Sequence, residues 1–271
     1  MQIVAYALAA TLYVAASIVY GARFAWGRSG TTPVIGGLVF AAVLAHVVGV
    51  SLFWIGFHEP PLVGLGPSLA SLALLIGLAL AGLILFSTAR AIGLMLAPAA
   101  GLLLASALII GIRPTGSELA FRGGWLVFHV AASFIGYAGW LVAAAAALMY
   151  LLQFRELKHK HLGAVFQFFP PLGTLDRLSE WALVTGFSAL TVGIGVGWAW
   201  TIRFEHGLRW GNPEVIWGVL AWVTLLAALY ARLSRRRTSR QAAVWNVAGF
   251  TMVSLAYFVA RLMVAETPFF L

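Results

Sequence analysis

Two histidines lie inside apolar runs long enough to cross a bilayer: His46 in "VFAAVLAHVVGVSLFW" and His129 in "GGWLVFHVAASFIGYAGW". An ionisable side chain at membrane depth costs about 3 kcal/mol or more unless something pairs with it. Both positions therefore ask for a partner. The helical face through His129 reads Trp125, His129, Ser133, Gly136, Trp140, at i, i+4, i+7 and i+11. Small Ser133 and Gly136 predict a hollow beneath the imidazole, framed by two indoles. Around His46, Ala42 and Gly49 are small as well. Counted from the expected ends of their spans, both rings fall roughly 8–12 Å beneath the outer boundary.

Two readings of these histidines stay open. In the first, small residues let helices pack closely and each imidazole bonds a neighbouring backbone or hydroxyl group. In the second, the hollow takes a flat apolar macrocycle with an axial metal position, where imidazole is the common iron ligand. That reading makes haem, of the b type, the expected cofactor, with His129 and His46 as the metal ligands.

The other four histidines are less pointed. His159 and His161, in "KHKH", read as a solvated basic face. His58 and His206 fall in outer loops, within reach of a cofactor at the membrane surface. The glycines of "GIGVGWAW" (193–200) lack the strand–turn–helix setting of a nucleotide fingerprint. Gly193 and Gly197 fit a GxxxG packing face instead. No Ser/His/Asp set or paired intramembrane carboxylates appear, so hydrolase and proton-pump readings lack parts. With no cysteine in the chain, disulfides and thiolate metal sites are excluded.

The elements that must position these residues follow from composition. Of 271 residues, 62% are hydrophobic and 9% charged, too few charges for the shell of a soluble domain. Apolar runs of spanning length fall at about 3–22, 32–54, 67–87, 91–112, 124–152, 180–202, 213–231 and 242–265. The expected fold is thus an all-α polytopic membrane bundle of about eight transmembrane helices, forming one domain over 1–271. The first run lacks a basic flank and a cleavage signal, and reads as a retained helix.

Loop charges orient the bundle. Arg23, Arg28, Arg90, Arg155, Lys158, Lys160, Arg177 and the five arginines from 232 to 240 share one side. Arg113, Arg122, Arg203, Arg209 and Arg261 share the other, beside Glu59, Glu118, Glu205, Glu214 and Glu266. The richer side is expected in the cytoplasm, which leaves both termini outside. The formal charge of +9 is then a topology signal with a lipid-bilayer partner, and nucleic acid is not expected. Between the fifth and sixth spans, Phe166, Phe168 and Phe169 among basic residues predict an amphipathic segment at the inner interface.

The assembled pieces resemble the cytochrome c assembly membrane family that includes CcsA, and within it the shorter eight-span HemX and YpjD-type branch. "WLVFHVAASFIGYAGWLVAAAAALMYLLQ", "FPPLGTLDRLSEWALVTGFSALTVGIGVGWAW" and "RQAAVWNVAGFTMVSLAYFVARL" carry the likeness. The resemblance implies haem handling at the outer face of a bacterial inner membrane, for delivery to apocytochrome c or control of haem supply. By position it gives His129 the role of the outer histidine and His46 that of the second-span histidine. It implies aromatic walls from Trp125, Trp140, Trp210 and Trp217, propionate partners in Arg203 and Arg209, and His206 or His58 as substitute ligands. It also implies a partner, another membrane protein of cytochrome c maturation.

The departures from the synthase pattern are substantial. "RWGNPEVIWGVLAW" stands where CcsA-type proteins have a tryptophan-rich stretch ending in Trp-Asp-Pro-Lys-Glu. Gly211 and Asn212 occupy the Trp-Asp positions, Glu214 replaces the lysine and Val215 the glutamate. Tyr230 falls at an expected intramembrane histidine, and none follows the last span. The expectation is therefore haem binding or transfer without catalysis of thioether formation. A non-enzymatic scaffold or regulator and a small-solute or cation transporter are the alternatives.

Overall fold

The computed structural model describes residues 1–27, 32–114, 123–160, 163–204, 213–234 and 238–264. Among these there is no strand. The helices are α1 (Gln2–Ala25), α2 (Pro33–Phe57), α3 (Leu65–Phe86), α4 (Gly93–Ile110), α5 (Gly124–Lys158), α6 (Ala164–Phe168), α7 (Leu172–Phe204), α8 (Pro213–Leu233) and α9 (Ser239–Val264). Seven are long and apolar enough to cross a membrane among the described residues. The chain is an all-α polytopic membrane bundle. Helix α9, 26 residues long, covers the eighth expected run.

Local chemistry sets the helix ends. Thr32 caps α2, its hydroxyl accepting from the Ile35 amide at 3.4 Å with Pro33 at the first helical position. His58 closes α2 in the left-handed region, φ 56°, its amide on the Trp54 carbonyl at 2.8 Å, and Pro60 prevents continuation. The sixth span was expected to begin at 180, yet α7 starts at Leu172. Pro171 offers its carbonyl to the amides of Thr174 and Leu175, and polar residues of the first two turns stay in the aqueous interface. Helix α5 runs past 152 to Lys158 for the same reason. Its 35 residues span about 52 Å, more than a hydrocarbon core, so its basic end projects into water. The connection between α5 and α7 is left with α6, beside which Phe168 and Phe169 pack against Phe24 with ring centroids 5.5 and 6.0 Å apart.

The described residues form two compact units: 1–117 with 149–178, and 118–148 with 179–271. In the first, α1 to α4 close around a column of tyrosines on α1. Tyr6, Tyr13 and Tyr20 recur every seven residues and are fully buried. Each ring meets a glycine: Gly49 on α2, Gly77 on α3 and Gly93 on α4. A Cβ at Gly77 would collide with the Tyr13 hydroxyl. Gly77→Ala is therefore expected to cost about 1–3 kcal/mol of stability. Tyr13→Phe in the same chain should restore part of it, since the ring carbon Cζ would still stand 2.8 Å from the new methyl group, measured by unfolding in mixed micelles. No recovery would mean that the hydroxyl does not set the fit.

The second unit is built on the seam between the N-terminal part of α5 and α7, with α8 and α9 against it. Trp140, Ala143, Leu183, Leu190, Ala221 and Leu225 form its apolar centre. Small residues let the backbones touch. A Cβ at Gly136 would stand 2.7 Å from the Leu190 Cβ, and one at Gly139 would stand 2.9 Å from the Gly186 Cα. Across this centre runs a buried polar chain. The Trp140 indole donates to the Asn246 side-chain oxygen at 3.1 Å, the Asn246 amide donates to Ser179 at 3.3 Å, and Ser179 donates to the Ala143 carbonyl at 3.1 Å.

Candidate functional site

His129 sits on the sixth residue of α5, half-buried, about 8 Å from that helix's start. Its Nδ1 lies 2.7 Å from the Gly193 carbonyl of α7. A carbonyl can only accept, so Nδ1 carries the proton and donates, and the ring's lone pair falls on Nε2. This is the arrangement commonly found at metal-bound histidines, where one nitrogen is fixed by a backbone carbonyl and the other ligates. Ser133, one turn on, donates to the His129 carbonyl at 2.8 Å and nearly touches Gly193.

The space expected beneath this imidazole is filled. Ser133 and Gly136 face α7 at close-packing distance, so the small residues form a helix seam and line no hollow. A shallow, open depression lies at the N-terminal end of α5, lined by Gly124, Trp125, Phe128 and Val196. Trp125 is 47% exposed there, with the Trp200 ring 6.5 Å away. Trp125 thus remains a candidate wall. Trp140 does not, because it is 2% exposed in the apolar centre, edge-on to Phe250 and bonded to Asn246. Eleven residues separate it from His129, about 16 Å along the helix. Trp217 packs edge-on to Tyr257 at 5.7 Å, in the same unit as His129. Arg203 is exposed at the end of α7. His206, Arg209 and Trp210 lie outside the described residues, as does His161.

His46 belongs to the first unit and is wholly buried. The edges of Tyr6 and Tyr13 close on its ring, centroids 5.6 and 6.0 Å away. Neither ring nitrogen makes a hydrogen bond of good geometry among the described residues, a looser approach to the Ala70 backbone apart, and the hydroxyls of both tyrosines also lack a partner there. Helix α2 continues through Trp54 to Phe57, which places His46 about 17 Å from that helix's C-terminal end. His58 is exposed at the helix end.

Two contributors escaped the sequence reading. The Gly193 carbonyl is a backbone group, which no side-chain pattern announces. The tyrosine column was legible as a seven-residue repeat on one helix face.

A haem asks less of the protein than a bare ion does. No three His, Cys, Asp or Glu side chains among them gather to hold a metal. A macrocycle brings four of its own ligands and asks the protein for one oriented imidazole and apolar walls.

The sequence matches the family described as cytochrome C assembly protein over residues 5–266. The chain belongs to this family. It is 29% identical over 154 residues to the cytochrome c biogenesis protein CcsA of Guillardia theta, covering 51% of each chain. It is 30% identical over 166 residues to the CcsA of Parasynechococcus marenigrum (strain WH8102), covering 53% of this chain and 54% of that one. The CcsA of Chlamydomonas reinhardtii is 28% identical over 145 residues, 53% of this chain and 40% of that one. The chain thus spans about half the length of the curated relatives it matches. No solved structure matches it.

Proposed function

We propose that this member of the family works in cytochrome c biogenesis in a bacterial inner membrane, binding haem at its outer face and holding or passing it on. His129 is the axial ligand, through Nε2. The observation that supports this most is the 2.7 Å bond from its Nδ1 to the Gly193 carbonyl, which fixes the tautomer that ligation requires. The bound haem would supply an iron centre, held without covalent attachment since the chain has no cysteine, and b type is the expected form. Trp125 and Phe128 offer apolar contact beside the ligand, and Arg203, exposed at the end of α7, is the candidate partner for a propionate.

His46 has a weaker claim. Ligation there requires Tyr6 and Tyr13 to withdraw from its ring. The lost Trp-Asp positions at Gly211 and Asn212 support holding or transfer over thioether formation. The filled α5–α7 seam favours a second reading, a scaffold whose histidine is only packed.

Titration of haem into the purified protein in nanodiscs separates the two. Haem binding gives a saturable Soret band at one haem per chain, above that of protein-free discs. Partitioning no stronger than into empty discs leaves the scaffold.

A further inference from the structure

Gly193 and Gly197 lie one turn apart on α7 and both face α5, yet they meet different things. A Cβ at Gly193 would stand 2.6 Å from the Ser133 hydroxyl oxygen, 3.0 Å from the Ser133 amide nitrogen and 3.3 Å from the His129 carbonyl, two of the three being backbone atoms. Gly193 therefore lets two backbones approach. At Gly197 the three nearest atoms all belong to the imidazole of His129: Cε1 at 2.7 Å, Nδ1 at 2.8 Å and Nε2 at 3.6 Å. Gly195, between them, meets nothing within 4 Å. One glycine spaces the helices, and the other makes room for a ring.

We propose that Gly197 is a positioning residue for His129: its missing side chain keeps the imidazole against the Gly193 carbonyl and so holds the ring with its proton on Nδ1 and Nε2 as the donor atom. The inference rests on the reading of His129 as a haem ligand. The ring is the movable end of a side chain hinged at two bonds. A methyl group at 197 displaces it rather than parting the helices, and the displacement breaks the bond to Gly193. The released imidazole is a weaker donor, since the carbonyl no longer raises its basicity. Gly186 provides the contrasting case. A Cβ there would stand 3.0 Å from the Gly136 carbonyl oxygen and 3.1 Å from the Trp140 nitrogen, damaging the same seam without touching the ring.

The test begins on haem-free protein, uniformly ¹⁵N-labelled at histidine in nanodiscs, with His129 assigned by its loss in His129→Ala. The wild-type ring is expected in the Nδ1-protonated form. Gly197→Ala should convert it to the Nε2-protonated form or a mixture, while Gly186→Ala lowers stability and leaves the tautomer alone. With haem added, Gly197→Ala should weaken binding about tenfold and raise the iron midpoint potential, as expected for removal of a partner that orients a ligand. The inference is overturned if the wild-type ring is Nε2-protonated, if Gly197→Ala leaves the tautomer unchanged, or if Gly186→Ala shifts it equally. Failure of Gly197→Ala to fold also overturns it, because a methyl group whose three nearest neighbours all belong to a movable ring should be tolerated. Absence of haem binding with the tautomer pattern intact would instead sink the ligand reading alone.

Discussion

Replacing His129 with alanine is expected to remove the Soret band of the haem-loaded protein and weaken haem binding at least a hundredfold. That loss corresponds to about 2.7 kcal/mol. The reason is specific to this site. His129 is the imidazole whose tautomer is set by a backbone carbonyl, and it stands beside an open apolar depression. His46→Leu provides the contrast. That imidazole is fully enclosed, its nitrogens make no hydrogen bond of good geometry among the described residues, and leucine fills a similar volume. Removing such a buried polar ring is neutral or stabilising by about 1–3 kcal/mol. Spectral titration of the two variants, with unfolding measured alongside, checks both halves. Equal loss of haem in the two would restore His46 to the ligand set.

The second large effect concerns Asn246, which is fully buried and bridges Trp140 to Ser179. Asn246→Ala leaves the Trp140 indole N–H without its acceptor in the apolar centre of the second unit. A buried donor deprived of its partner costs about 1–3 kcal/mol. Hydrogen bonds between membrane helices are individually worth about 0.6 kcal/mol on average, because the unfolded chain also finds partners. The expected sum, with the small cavity included, is about 2–3 kcal/mol. Combining Asn246→Ala with Trp140→Phe should cost clearly less than the two added together. Simple additivity would show that the indole N–H does not depend on this asparagine.

The membrane architecture was legible because apolar run length reports bilayer thickness directly. The spans near 3, 32, 67, 91, 124 and 213 each begin within two or three residues of a helix start. What escaped were helical ends that leave the membrane. At 172–179 and 153–158, polar residues continue a helix into water, and hydropathy falls while the backbone does not change. His129 was legible as a charge-capable ring in an apolar run. Its partner was not, since the acceptor is the carbonyl of a glycine 64 residues away. The GxxxG face of 193–197 was read correctly as a packing face. That one of its glycines faces an imidazole depends on helix rotation, which spacing alone leaves open. Small Ser133 and Gly136 were read as a hollow, but close helix approach consumes such space whenever the facing helix is also small. Trp140 was placed near the ligand by sharing a face with His129. Eleven residues along a rigid helix put it in another environment.

Hyperfine spectroscopy of the ferric, haem-loaded protein with ¹⁵N-labelled histidine reads directly whether a histidine nitrogen holds the iron. A strong ¹⁵N coupling should be present in the wild type and in His46→Leu and vanish in His129→Ala. A coupling that survives in His129→Ala, or an iron with no histidine nitrogen bound in the wild type, would contradict the assignment.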